Sequence, residues 1–265
     1  MELRHLVVVV AACGLLASAC SSSDEANAAT SAAPTTAAPT TTSAPTTTAA
    51  STTTTSTTAA PTTTTTSTTA VPLPPSPLNG LGVPEELQPN LERRVLAVKI
   101  DNHPDARPQS GLQEADAVIE LIVEAGLTRF IALFLVADSD YIGPIRSLRP
   151  TDPTLVKPLG ATMQISGGQA WVRSFVRSTG VPYLGETSPN TFRIPRNGRA
   201  YERTLYGTTD GMRQRADRLG LDDEGPEPWF TFGDPTPPSA SAETITLRWS
   251  SNATSQWSFD GRSEE

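Results

Sequence analysis

The fold is decided around VKIDNHPDARPQSGL (98–112), where an apolar run ends abruptly in a loop of polar residues. The preceding residues extend that run to VLAVKI, which has the composition of a buried strand, and Pro104 and Pro108 stiffen the loop that follows. Polar groups of several chemistries on a rigid loop after a buried strand suit a binding or catalytic site. The alternative is a surface loop whose Asp and Asn side chains cap turns. The polar residues are Asp101, Asn102, His103, Asp105, Arg107, Gln109 and Ser110.

Apolar runs bounded by turn residues predict four strands in the central part of the chain. They are expected over 94–101, 117–124, 129–136 and 161–166. The second and third form a β-hairpin in this interpretation, with Gly126 in the turn. A single helix over 113–125 is the main competing interpretation, because the apolar residues of 118–122 also fit helical spacing.

Helices are predicted between and after these strands. They are expected over 151–159, 169–178 and 209–219, with one helical turn over 111–116. Strands interleaved with helices indicate an α/β (α+β) fold, a sandwich domain built on a mixed sheet.

Composition divides the chain into four parts. Residues 21–77 are dominated by Thr, Ser, Ala and Pro, which cannot bury enough apolar surface to offset conformational entropy, so we expect a disordered linker. Residues 78–235 are the expected N-terminal folded domain. Residues 236–265 read as two strands, which cannot form a domain alone. We expect the beginning of a truncated β-rich second domain there, or two strands that join the main sheet.

Residues 1–20 have the features of a bacterial lipoprotein signal peptide. A short polar start precedes an apolar stretch over 6–16, and ASAC ends at Cys20. We expect lipidation of Cys20, by an acyl chain such as palmitate, and a membrane-anchored protein on the extracytoplasmic face. The alternatives are ordinary secretion after Ala19, a lipobox ending at Cys13, or an apolar start that remains as an anchor. Long Thr- and Pro-rich tethers are typical of envelope proteins in high-GC Gram-positive bacteria.

Charge and residue counts exclude several classes of function. The formal net charge of -8 argues against nucleic acid as a partner. Cys13 and Cys20 both lie in the N-terminal apolar segment, and His5 and His103 are the two histidines, so the folded part cannot hold a Cys/His zinc site. No cofactor and no metal are expected, although a metal held by carboxylates alone is not excluded by composition.

Four segments carry a family resemblance when taken in order: VKIDNHPDARPQSGL, EADAVIELIVEAGLTRFIALF, IGPIRSLRP and GGQAW. Together they resemble the YerB-like lipoproteins, a bacterial family of unknown function, over about residues 78–233 of this chain. The resemblance implies a lipoprotein signal, a low-complexity tether, an N-terminal domain and a smaller β-rich C-terminal domain. One departure is AYERTLYGTT (200–209), where the resemblance implies a Pro-His-Asn-like sequence. The family brings no established catalytic residues, so none is transferred.

The first functional hypothesis is a binding module for an anionic envelope ligand. Arg146 and Arg149 follow a Gly-Pro turn and would share one face if a helix began there. Guanidinium groups outside the membrane suit lipid-linked pyrophosphates, wall polymers or peptide carboxylates. The alternative is that the arginines form fold-locking ion pairs with Asp116, Glu120 and Glu124. The predicted ligand-binding residues are Asn102, Arg107, Gln109, Arg129, Arg146 and Arg149.

The second hypothesis is an envelope hydrolase or transferase. Asp101, His103, Glu120 and Glu124 could supply general acid and base groups, and the two glutamates would share a face if 117–124 is one strand. The sequence contains no GxSxG, HExxH or P-loop motif, so no catalytic residue is assigned. A third hypothesis is a scaffold that recruits cell-wall or division proteins. Residues 192–218 have a separate excess of positive charge, because this stretch contains seven arginines and three carboxylates.

Overall fold

The computed structural model describes residues 7–11, 72–195, 198–233 and 242–258. Its main sheet contains β1 (Val7–Ala11), β2 (Leu96–Asp101), β3 (Ala117–Ile122), β4 (Thr128–Phe134), β5 (Thr162–Gln164) and β6 (Tyr183–Leu184). The strand order is β1-β3-β4-β2-β5-β6. Strand β1 lies in the predicted signal peptide. The other five strands of the sheet come from residues 96–184. Apart from 7–11 and 72–77, the predicted signal and linker lie outside the described residues.

The sheet is mixed, as predicted, because one strand runs against the others. Strand β4 is antiparallel to both β2 and β3, whereas β5 is parallel to β2 and β6 is parallel to β5. The carboxyl ends of β2, β3 and β5 therefore meet at one edge, together with the beginning of β4. Loops at such an edge are the usual place for ligand sites in α/β sheets.

The predicted β-hairpin is confirmed, and the competing helix over 113–125 is wrong. Strands β3 and β4 pair from Ala117 with Leu133 to Ile122 with Thr128. Both faces of β3 are buried, which explains why its apolar residues do not alternate with polar ones. Gly126 has a φ of +66° in the connection, a conformation that favours glycine. Residues 111–116 form turns and not the predicted helical turn.

The three predicted helices are present with shorter bounds. They are α1 (Asp152–Val156), α2 (Ala170–Ser178) and α3 (Thr209–Arg218). Single 3-10 segments occur at Glu85–Glu92, Pro104–Ala106, Glu124–Gly126, Lys157–Leu159 and Tyr201–Arg203. None of the helices in the described ranges is long and apolar enough to cross a membrane.

Two apolar clusters fill the two faces of the sheet. One contains Ala97 and Leu133 of the sheet with Val172 and Val176 of α2. The other contains Val98 and Phe134, each next in sequence to a residue of the first cluster, together with Met212 of α3. Successive strand residues alternate between the clusters, as side chains in a sheet must. Helices therefore cover both faces, and the α/β sandwich is confirmed.

Two small sheets accompany the main one. Strand β7 (Phe192–Arg193) pairs with β8 (Leu205–Tyr206), and β9 (Thr244–Arg248) pairs with β10 (Thr254–Ser258). The two C-terminal strands expected from the sequence are present. They form a separate hairpin, so the alternative that they join the main sheet is wrong.

Candidate functional site

A cavity of about 370 Å³ lies at the edge where β2, β3 and β5 end. Asp101 is the last residue of β2, and Arg129 is its cross-strand neighbour in β4. Glu124 follows β3, and Gln169 lies between β5 and α2. The topology thus brings residues distant in sequence to one place. The charged residues that line the cavity are Asp101, Glu124, Arg129, Arg146, Arg149 and Arg203.

Asp101 lies among three of the arginines with its side chain only 4% exposed. Its Oδ2 atom is 3.2 Å from Nε of Arg146 and 3.6 Å from Nε of Arg203. Its Oδ1 atom is 3.9 Å from Nε of Arg129. Oδ2 and the Nε atoms of Arg146 and Arg203 are buried without a hydrogen-bond partner in the described part of the chain. Oδ2 lies within ion-pair distance of both Nε atoms, so the three atoms are ion-paired although their geometry does not make a hydrogen bond.

Four guanidinium groups and two carboxylates line the cavity, and two further carboxylates pair with its arginines: Asp105 with Arg203 at 3.0 Å and Glu202 with Arg146 at 3.8 Å. Arg149 Nε lies 2.5 Å from Oε1 of Glu124. Burial opposes ionisation of Glu124, but this hydrogen bond and the nearby arginine charges outweigh it and lower the pKa of Glu124.

The surroundings of Arg129 disfavour its positive charge. Burial lowers the pKa of Arg129 to about 10, and the charges of Arg149 and Arg146 add to this effect. Asp101 and Glu124 act in the opposite direction but do not compensate. Arg129 is still protonated at neutral pH, so the cavity holds a positive charge that an anion would stabilise.

Arg146 and Arg149 lie on an extended segment, and not on the helix that the sequence analysis considered. The Arg146 backbone N–H donates to the carbonyl of Lys99 in β2 (2.8 Å), and that of Leu148 donates to Gly167 beyond β5 (2.9 Å). Asp152 fixes the end of the segment by accepting from the Arg149 backbone N–H (2.7 Å). Asp152 itself is held by the fully buried Nζ of Lys99 at 2.6 Å.

Three predicted ligand-binding residues stabilise the loop and do not line this cavity. The Asn102 amide nitrogen donates to Thr128 Oγ1 (2.7 Å) at the start of β4. Its Oδ1 accepts from Gln109 (2.8 Å) and from Arg107 Nε (3.2 Å). The polar density of the loop therefore reflects its own construction as well as the site. Of the six predicted binding residues, Arg129, Arg146 and Arg149 converge.

Three of the four candidate catalytic residues line the cavity, and the fourth does not. Asp101, His103 and Glu124 line the cavity, whereas Glu120 is 1% exposed and bonds to Asn102 and Ser255 (2.6 Å). The expectation that Glu120 and Glu124 share a strand face is wrong, because β3 ends at Ile122. His103 Nδ1 accepts from the Asp105 backbone N–H (3.2 Å) and caps the short helical turn after it.

The predicted ion pairs occur in part. Glu124 pairs with Arg149, but Asp116 accepts hydrogen bonds from the backbone N–H groups of 135–137. In the arginine-rich stretch, Arg193 pairs with Glu186 and Arg213 with Asp138. Arg203 instead lines the cavity. The site predicted from the sequence did not include this residue. The charge excess at 192–218 was the only signal that could have suggested it, and it did not distinguish Arg203 from its neighbours.

A larger cavity of about 780 Å³ lies on the other side of the loop, lined by 108–114 and 138–141. Its lining includes Gln109 and three carboxylates but no cationic side chain. The smaller cavity is the stronger candidate because the predicted arginines meet there. No cluster of three or more His, Cys, Asp or Glu suited to a metal occurs among the described residues.

The family described as "Protein of unknown function (DUF3048) N-terminal domain" matches residues 80–222, which contain strands β2 to β6 of the sheet and every charged residue of the cavity. This chain belongs to the DUF3048 family. The DUF3048 chain is similar to the protein named "Putative lipoprotein YerB" of Bacillus subtilis (strain 168), with 46% identity over 80 residues. That match covers 30% of this chain and 23% of the relative.

The crystal structure of YerB from Bacillus subtilis resembles the DUF3048 fold described above, with a TM-score of 0.59 and 25% identity. The match covers 70% of this chain and 63% of that chain. This DUF3048 chain therefore spans less than two thirds of the length of the relatives it matches. The resemblance to YerB-like lipoproteins inferred from the sequence is confirmed, as is the mixed α/β fold.

Proposed function

We propose that this DUF3048 protein is a lipid-anchored module of the cell envelope that binds phosphate or pyrophosphate groups in the arginine cavity. The observation that carries the proposal is the convergence of Arg129, Arg146, Arg149 and Arg203 on one cavity with only two carboxylates. An anion would bind to several guanidinium groups at once, because guanidinium forks match the oxygen geometry of phosphate.

The geometry supports a ligand as opposed to a purely structural ion cluster. The ion pairs of these arginines do not fill the space between them, because Arg129, Arg146, Arg149 and Arg203 line a cavity and not a closed contact. The volume of about 370 Å³ also falls within the range of small-molecule sites. Phosphate, pyrophosphate and carboxylate share this chemistry, and the pyrophosphate group makes the fullest use of four guanidinium groups.

The envelope location rests on Cys20 and on the relative. The ASAC sequence resembles a lipobox, and the Bacillus subtilis relative is named as a lipoprotein. Lipidation of Cys20 would hold the domain at the outer membrane surface on its Thr- and Pro-rich tether. Lipid-linked precursors and wall polymers are the phosphate-bearing partners available there.

Calorimetric titration with inorganic pyrophosphate tests the proposal. The protein is the full chain carrying Cys20→Ser, so that no acyl chain is present. We expect measurable binding, and Arg146→Ala combined with Arg149→Ala should weaken it at least about 100-fold, since hydrogen bonds to charged groups are the strong ones.

The matched control is Arg218→Ala, which removes an exposed arginine of α3 that does not line the cavity. Its pyrophosphate affinity should equal that of the wild type. Circular dichroism and thermal unfolding confirm that each variant folds. Equal affinity of the cavity variant and the wild type would refute the proposed site.

A further inference from the structure

Helix α2 carries two large aromatic side chains on its outer surface. Trp171 is 59% exposed and Phe175 is 45% exposed, while Val172 and Val176 of the same helix are buried. Trp171 and Phe175 are four residues apart, so they lie on the same side of the helix. Two adjacent exposed aromatics form an apolar surface that internal packing does not explain.

This aromatic surface begins at the arginine cavity. Gln169 lines the cavity and immediately precedes α2. The indole Nε1 of Trp171 donates a hydrogen bond of 2.6 Å to Oε1 of Gln169, which fixes the ring beside the cavity. Phe175 follows about 6 Å farther along the helix axis. A phosphate in the cavity would thus have an apolar surface next to it.

The arginines of α2 lie on the other side of the helix from the two aromatic side chains, because Arg173 and Arg177 each follow one of them by two residues, about 200° around the helix. Arg173 and Arg177 are exposed on α2 and form no ion pair with any described residue. Arg177 donates to the hydroxyl of Tyr183 at 2.6 Å. An exposed apolar surface next to an arginine cavity matches a molecule that has a phosphorylated head and a hydrocarbon chain.

We propose that the ligand of the cavity is a phosphate or pyrophosphate joined to a prenyl or acyl chain. The phosphate groups occupy the arginine cavity, and the first part of the chain packs on Trp171 and Phe175. This inference rests on the function proposed above and narrows its ligand class. A wholly polar polymer would use the arginines and leave the aromatic surface in contact with water.

Farnesyl pyrophosphate and inorganic pyrophosphate are the probes that test this inference, each titrated calorimetrically into the full chain carrying Cys20→Ser. The two share a head group and differ in the hydrocarbon chain. We expect farnesyl pyrophosphate to bind at least about tenfold more tightly, because its chain leaves water. Trp171→Ala combined with Phe175→Ala should remove this advantage. Phe175→Ala alone keeps the hydrogen bond between Trp171 and Gln169, so it should reduce the advantage and leave the affinity for inorganic pyrophosphate unchanged.

Phe230→Ala combined with Phe232→Ala is the matched control, because both rings are exposed and neither lines the cavity. It should preserve the advantage of farnesyl pyrophosphate. Equal affinity of the wild type for both probes, or an advantage that survives loss of Trp171 and Phe175, would overturn the inference while arginine-dependent pyrophosphate binding stands. Failure of both probes to bind would overturn the proposed function as well.

Discussion

Asp101→Asn removes the negative charge at the centre of the arginine cavity and keeps the shape of the side chain. The asparagine Oδ1 can still accept the hydrogen bond that the His103 backbone N–H donates to Asp101 at 3.2 Å. Arg129 loses the carboxylate with which it pairs, whereas Arg146 and Arg203 each keep a second partner, Glu202 at 3.8 Å and Asp105 at 3.0 Å. The substitution therefore isolates the electrostatic role of this carboxylate.

The size of the effect follows from the three distances. At 3.2, 3.6 and 3.9 Å the carboxylate attracts Arg146, Arg203 and Arg129. Each pair is worth on the order of 4–5 kcal/mol at an effective dielectric of about 20. The desolvation of the charged Asp101 offsets much of this sum. We expect a net loss of about 3–5 kcal/mol in unfolding free energy, the usual cost of breaking a buried ion pair.

Urea unfolding with and without pyrophosphate measures both the loss and its cause. Pyrophosphate supplies the negative charge that the substituted side chain lacks, so it should stabilise the Asp101→Asn protein more than the wild type. Asp138→Asn is the control, because Asp138 pairs with Arg93 and Arg213 but is 49% exposed, and should cost less than about 1 kcal/mol. A cost below about 1 kcal/mol for Asp101→Asn, or equal stabilisation by pyrophosphate, would refute the reasoning.

Two other substitutions test the buried ion pair beneath the site and the attachment of the protein to the membrane. Lys99→Met should lower the unfolding free energy by about 3–5 kcal/mol, because it leaves Asp152 buried without its ion-pair partner. Lys157→Met, at an exposed position, should stay within about 0.5 kcal/mol in the same urea titration, and equal losses would contradict the buried pair. Cys20→Ser should abolish palmitate labelling and release the protein from the membrane fraction, whereas Cys13→Ser should do neither. Loss of labelling in Cys13→Ser alone would place the lipobox at the earlier cysteine.

The fold was largely predictable because its signals are local. The apolar runs at 94–101, 117–124 and 129–136, with a glycine between the last two, specify strands and a hairpin whatever the rest of the chain does. Helix α3 was equally clear, since Asp210 falls in its first turn and Gly220 follows its end, where the structure gives that glycine a φ of +65°. Strand ends were less predictable, because β3 stops at Ile122 only where its pairing with β4 stops.

The candidate site was predictable only where it depends on residue type. Arg146 and Arg149 were selected for their charge, but an extended segment and not a helix brings them to the cavity. Arg203 lies far from Asp101 in sequence, so no spacing rule connects them. Asn102, Arg107 and Gln109 have the same polar character as site residues, and only the three-dimensional arrangement shows that they bond to one another.

A crystal structure of the protein soaked with inorganic pyrophosphate is the most direct test of anion binding in the arginine cavity. We expect density for pyrophosphate within hydrogen-bond distance of Arg129, Arg146, Arg149 and Arg203. Pyrophosphate bound elsewhere, with an empty cavity and an unchanged arginine cluster, would contradict the account.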